Sequence, residues 1–277
     1  MTIREAARRR LLLALVVLTL AVVGLTGWGF SRIAVLTGPD GASLPPAEMQ
    51  LAASQLLVLV AFMFSAVLAL SAVIVAAPSI SAEVESGIAL AVLARPVSRY
   101  QVLVGKWLAF AFLIAVYAAA TTATELTVVG LTTGYQPPGP VGLAAYLVAE
   151  GIVIMSLTLL LSTRLSGMTA GVIGLVLFFL AWLGGIAGTI GDVFNNAAIR
   201  NTGTVSQFLL PTDALWRGAA YELEPPVYRA LFGLTPVRAG NPFFVDNPPS
   251  LLYLTWCAVW VGLVIGGAAV SFRRRDV

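Results

Sequence analysis

Long apolar runs alternate with short charged or turn-rich breaks along the chain. The runs occupy about 11–32, 54–77, 103–132, 140–163, 167–190 and 251–272. Each is long enough to cross a bilayer core, which takes about 20 apolar residues. Backbone groups in lipid find no water to bond, so continuous runs of this kind fold as helices. A membrane barrel needs alternating segments of about ten residues instead. The pattern predicts an all-α polytopic membrane protein with six transmembrane helices, a single transmembrane domain over 1–277. The first run is longer than the apolar stretch of a secretory signal and reads as a retained helix.

Composition agrees. Of 277 residues, 59% are hydrophobic and only 10% charged, where ordinary globular domains are nearer a quarter charged. The net charge of +3 gives no reason to expect a nucleic-acid partner. The basic residues sit at the ends of the apolar runs. One set of ends holds Arg4, Arg8, Arg9, Arg10, Arg95, Arg99, Lys106, Arg164, Arg273, Arg274 and Arg275. The other holds Arg32, Arg200, Arg217, Arg229 and Arg238, four of them in one long segment, 191–250. Positive charge collects on the cytoplasmic side. Both termini and 79–102 are therefore expected in the cytoplasm, 191–250 outside, and the chain in the cytoplasmic membrane.

Several chemistries are excluded by what is missing. The chain has no histidine, so imidazole bases, His-ligated zinc and imidazole-activated nucleophiles cannot be built. The one cysteine, Cys257, lies in an apolar run and reads as a small core residue. The pair Gly105-Lys106 lacks the earlier Gly and the following Ser or Thr of a phosphate-binding loop. If ATP drives this protein, another chain hydrolyses it. No Asp lies clearly within a span, which disfavours an intramembrane aspartyl protease.

Two carboxylates interrupt the apolar runs. Glu125 and Glu150 lie 12 and 13 residues on either side of the Pro137-Pro138 turn, which in an antiparallel hairpin puts them at similar depth. An intramembrane carboxylate marks a functional site by default. The functional reading is a polar patch on a cargo or proton route, and the plainer one a hydrogen-bonded pair gluing two helices. Which holds depends on helix rotation, which spacing does not fix. Phe62, Phe64, Phe178, Phe179 and Trp182 suit a path for lipidic or drug-like cargo, and equally suit plain contact with lipid. Small-xxx-small patterns at Gly167/Gly171, Gly184/Gly188 and Gly262/Gly266 mark places where helix backbones can approach.

The break at Ser79–Trp107 has internal order. Ser81 is placed to cap a helix after Pro78, with Glu83 and Glu85 in its first turn, where acidic groups suit the helix N-terminus. Val84, Ile88, Ala91 and Val92 form an apolar stripe. Arg95 and Pro96 close the helix. In the outer segment, residues 206–226 predict short amphipathic helices, with Asp213 as a cap and Trp216 and Tyr221 at headgroup level.

The run Glu83-Val84-Glu85-Ser86-Gly87-Ile88, followed by Leu93-Ala94-Arg95-Pro96-Val97-Ser98-Arg99 and Leu103-Val104-Gly105-Lys106, resembles the cytoplasmic signature of ABC-2 type transporter permeases. Leu210-Pro211-Thr212-Asp213-Ala214-Leu215-Trp216-Arg217 resembles a Pro-x-Asp-x-x-Arg run in the outer segment of that family. The resemblance implies an ABC-2, type V exporter-like fold and a permease subunit that itself catalyses nothing and binds no cofactor. It implies ATP and Mg on partner ABC ATPase subunits, and a second permease copy or paralogue. It leaves open an extracytoplasmic accessory protein. Glu83, Glu85, Gly87, Arg95, Pro96, Arg99 and Lys106 would then couple to the ATPase, and spans two and five would line the path. Asp213, Trp216 and Arg217 would belong to the outer segment. The N-terminus departs from the family, since about ten residues stand where a longer elbow helix is usual. Alternative readings are an ATP-independent proton-coupled carrier using Glu125 and Glu150, a permease of copper-enzyme maturation transmitting force to an outer partner, and a non-transporting scaffold.

Overall fold

The computed structural model describes residues 3–33, 35, 45–85, 98–226, 243, 245 and 247–274. Among these the chain is all-α, with no strand. The helices are α1 (Ile3–Ile33), α2 (Pro46–Ala76), α3 (Pro78–Glu85), α4 (Arg99–Thr133), α5 (Pro140–Ser162), α6 (Gly167–Val193), α7 (Ala197–Leu209), α8 (Thr212–Leu223) and α9 (Leu251–Arg273). Six are long and apolar enough to cross a membrane: α1, α2 running on into α3, α4, α5, α6 and α9.

Local chemistry sets their ends. Pro46, Pro78 and Pro140 each open a helix, where the missing N–H costs nothing and the fixed φ suits the first turn. Ser166, Asn196 and Ser250 accept from N–H groups of α6, α7 and α9, satisfying donors that a helix start leaves free. Gly134, at φ +69, bonds back to Gly130 O and closes α4 in the left-handed conformation that glycine permits.

Two compact units divide the described chain. The first comprises Met1–Val67, Tyr117–Leu147 and Trp216–Pro248; the second Leu68–Val116, Val148–Leu215 and Pro249–Val277. In the first unit, α1 packs along the second half of α4. Thr19 Oγ1 meets Tyr117 OH, and a Cβ on Gly27 would touch Val128 Cγ1 at 3.4 Å. Both helices advance in the same sense between these contacts, so they run parallel. In the second unit, α6 lies against α3 through Gly167, beside Ser81 and Pro78, and against the end of α2 through Gly171, beside Val73 and the linking Ala77.

The structure corrects the expected start of the third helix. Pro78, not Ser81, opens α3, one residue after α2 ends, and Ser81 Oγ donates to Ala77 O from within the helix. Glu83 and Glu85 therefore stand at the sixth and eighth positions and not in the first turn. Proline supplies its own start signal, and the serine one turn later is not needed as a cap. The stripe residues Ile88, Ala91 and Val92 lie outside the described residues, as does the side chain of Val84.

The segment after α6 also differs from expectation. Pro211 separates α7 from α8, and Thr212 precedes Asp213 in α8, so Asp213 is not its cap. Trp216 is 2% exposed. Its ring lies edge-on to Phe62 at 5.5 Å and to Phe243 at 5.8 Å. It is a core aromatic and not a headgroup anchor, and α8 is a mostly buried helix.

Candidate functional site

Residues 86–97 lie outside the described residues, and α3 and α4 stand on either side of them. On the far side, Ser98 and Gln101 form a capping box that opens α4. The Gln101 side chain accepts from Ser98 N at 2.9 Å, and Ser98 Oγ accepts from Gln101 N at 3.3 Å. This reciprocal pairing fixes where α4 begins. Two turns on, Lys106 reaches back across to α3. Its Nζ lies 2.6 Å from Glu83 Oε2 and donates to Ser79 O at 2.5 Å. One ammonium thus joins the helix before 86–97 to the helix after it, and the charge-assisted bond is of the stronger kind.

Arg99 points elsewhere. Its Nη1 donates to Phe272 O at 3.0 Å, and the guanidinium lies 5.8 Å from the Phe272 ring centre. A cation at the C-terminus of α9 satisfies carbonyls that the helix end leaves free and complements the dipole. Arg164 Nε donates to Ser271 Oγ at 2.9 Å on the same helix end. Beneath these polar contacts is an apolar floor of Ile80, Leu103, Leu159, Ala268 and Phe272. The contacts from Glu83, Lys106 and Arg99 therefore run into one packed cluster that joins α3, α4, α5 and α9.

The predicted coupling residues separate into three groups. Glu83 and Lys106 are brought together. Arg99 belongs to the same cluster but serves α9. Gly87, Arg95 and Pro96, together with the Glu85 side chain, lie outside the described residues.

Glu125, on α4 in the first unit, is 5% exposed. Among the described residues neither carboxylate oxygen has a hydrogen-bond partner, and neither does Thr122 Oγ1 one turn earlier. Both residues line a small cavity walled by Leu57, Phe64, Leu143, Leu147 and Leu223. The Thr26 hydroxyl is close enough to act on the carboxyl, yet it donates to Val22 O at 2.8 Å. Glu150, on α5 in the second unit, is 1% exposed. Phe62 packs on Trp216, Phe178 is buried edge-on to Phe179, and Trp182 is half-buried.

At the other end of the second unit, Asp213 sits on the backbone of Gly185 and accepts from Gln207 Nε2 at 3.0 Å. Two side chains of α9 hold the last carbonyls of α7. Tyr253 OH donates to Gln207 O at 2.8 Å and Trp260 Nε1 to Leu209 O at 2.9 Å. In the first unit, Tyr135 OH donates to Leu223 O at 2.5 Å at the end of α8. Arg217 is half-buried.

The profile of the family described as "ABC-2 family transporter protein" matches residues 3–277. The chain belongs to the ABC-2 transporter family. No curated protein matches it significantly. The permease is thus a multi-pass membrane component of the ABC transporter class, carried on six membrane-capable helices. Sequence reasoning missed several of the permease's structural contacts. The Ser98-x-x-Gln101 box was visible as a capping signature immediately before an apolar run. The bonds from Tyr253 to Gln207 O and from Trp260 to Leu209 O had no such signal, because each joins residues dozens of positions apart.

Proposed function

We propose that this permease moves a cargo across or out of the cytoplasmic membrane, driven by ATP hydrolysed with Mg on separate ATPase subunits. A second copy or a paralogue completes the path, and 79–102 is the segment that docks on the ATPase. The observation that carries this reading is the Lys106 bridge to Glu83 and Ser79. It closes the base of 86–97, so that a displacement of that segment moves α3 and α4 together instead of bending one of them. The shared apolar floor and Arg99 extend the load to α5 and α9. The chain holds no phosphate-binding loop of its own, which leaves the energy source to a partner.

The bridge is partly exposed, with side-chain exposures of 19% for Lys106 and 38% for Glu83. Pairs of this kind contribute about 0.2–1 kcal/mol to stability, so breaking it leaves the fold intact and exposes the coupling role. The test uses the full permease purified from its own membranes with whatever ATPase accompanies it. A Walker-containing ATPase should copurify. Lys106→Glu should leave assembly in place and lower transport per ATP hydrolysed severalfold, and Glu83→Lys/Lys106→Glu should restore it. Absence of any copurifying ATPase, or a Lys106→Glu complex that couples as well as the parent, overturns the proposal.

A further inference from the structure

In the second unit, where α4 begins and α9 ends, there is an open cleft of ≈ 530 Å³ lined by Ser98, Arg99, Tyr100 and Arg273. We propose that this cleft binds the phosphate headgroup of an anionic phospholipid, whose acyl chains then lie along α4. The inference rests on the membrane-spanning helices and not on the ATPase reading.

Size and charge come first. Clefts that hold small molecules measure about 300–1,000 Å³, so this one has room for a whole headgroup. Its described lining contains two arginines and no carboxylate. Arg99 is fixed in place, since its Nη1 donates to Phe272 O at 3.0 Å and to Arg273 O at 3.4 Å. Arg273 is exposed, and its side chain meets no carboxylate among the described residues. Arg164 and Arg274 are exposed at the same helix end. Glu83, the carboxylate of the adjoining cluster, is already matched by Lys106. Next in sequence, Arg275 and Asp276 offset each other. A guanidinium is a planar fork that bonds phosphate oxygens in pairs, and two of them meet at this cleft.

The apolar flank selects a lipid over a soluble anion. Tyr100 is exposed beside the arginines, and such amphipathic rings favour the headgroup level. Successive i+4 steps down α4 lead from it to Leu108 and Phe112, both exposed. A Cβ on Gly105, between Tyr100 and Leu108 in sequence, would meet nothing within 4 Å among the described residues. Cations at the helix end with an open apolar ridge below them match an amphiphile with its charge at one end. Free phosphate uses only the cations. A zwitterionic lipid brings its own cation to a cleft that is already positive. Basic pockets at the ends of membrane helices recognise anionic headgroups in this way.

The test uses the full permease in phosphatidylcholine nanodiscs without any ATPase. The probes are traces of phosphatidylglycerol or phosphatidylcholine, each spin-labelled on an acyl chain. The fraction immobilised by the protein gives the relative association constant of each lipid. Phosphatidylglycerol is expected to be preferred, and to be displaced by unlabelled phosphatidylglycerol but not by an equal amount of soluble glycerophosphoglycerol. Arg273→Gln should lower the preference about fivefold, the effect of one basic residue beside an anionic lipid. Arg200→Gln removes the same charge from an exposed position on α7 and should leave the preference unchanged. If Arg273→Gln does not fold, the comparison of the two lipids and the glycerophosphoglycerol competition decide the matter. No preference for phosphatidylglycerol overturns the proposal and leaves the arginines to an acidic protein surface. Displacement by glycerophosphoglycerol would mean a soluble-anion site, and an equal loss in Arg200→Gln a general effect of net charge; either overturns it. None of these outcomes bears on whether an ATPase copurifies, so the two proposals fail separately.

Discussion

Gly203 of α7 lies so close to Gly188 of α6 that a Cβ on it would collide with the Gly188 Cα and N. A Cβ on Gly262 or Gly266 of α9 would meet nothing within 4 Å among the described residues. The spacing Gly-xxx-Gly is the same at 184/188 and 262/266, so the sequence shows where close approach is possible and not where it occurs. The Gly184/Gly188 partner lies in α7, a helix whose place could not be read from spacing. Gly203→Val must push backbone apart, since no flexible side chain is there to yield. Overpacking of this kind costs about 1–3 kcal/mol. Gly262→Ala removes a helix-destabilising glycine in open space and should be neutral to slightly stabilising, by up to about 1 kcal/mol. Thermal melting of the two purified variants in one detergent checks the contrast, and equal melting temperatures would refute the assigned packing.

At the scale of the element, the membrane helices were legible because each is a continuous apolar run, a signal that survives without knowledge of neighbours. Their ends were less so. The run alone predicted α4 from about residue 103, whereas the capping box starts it at Arg99. A short helix over α8 was legible, but its burial was not. Its sequence, TDALWRGAAYEL, carries charge on most of its turns and reads as an interfacial helix. It is buried because Phe62 and Phe243 enclose Trp216 and because Glu222 fits over Gly139 and Gly142, all distant in sequence. The same long-range logic holds the end of α7. Its last carbonyls depend on Tyr253 and Trp260 of α9, and each such bond contributes about 1 kcal/mol net. Tyr253→Phe and Trp260→Phe should therefore each lower stability by roughly that amount and raise hydrogen exchange in the last turn of α7 severalfold, with α1 unchanged. Uniformly faster exchange in every helix would show that the effect is global and not a release of this helix end.

At the scale of the whole molecule, the function class was carried by the charged break around Ser79–Trp107, because charge is rare in this chain and its placement is therefore informative. Glu125 and Glu150 stood out for the same reason, but their surroundings depend on helix rotation, and only the structure places Glu125 against an apolar cavity. The coupling proposal further requires that 79–102 face the compartment that contains ATP. Eleven basic residues mark the ends on that side and five the other, a bias that follows the usual orientation rule. The single cysteine makes this testable. Cys257 is buried at 6% exposure, so Cys257→Ala gives a cysteine-free background with a small change in volume. On it, Tyr100→Cys places a thiol at an exposed position near the start of α4, and Asn201→Cys one on the exposed side of α7. A membrane-impermeant maleimide should label the Asn201 variant in intact cells, and the Tyr100 variant only after the membrane is opened. The opposite pattern would put the Lys106–Glu83 bridge on the face away from ATP, and no docked ATPase could then act through it.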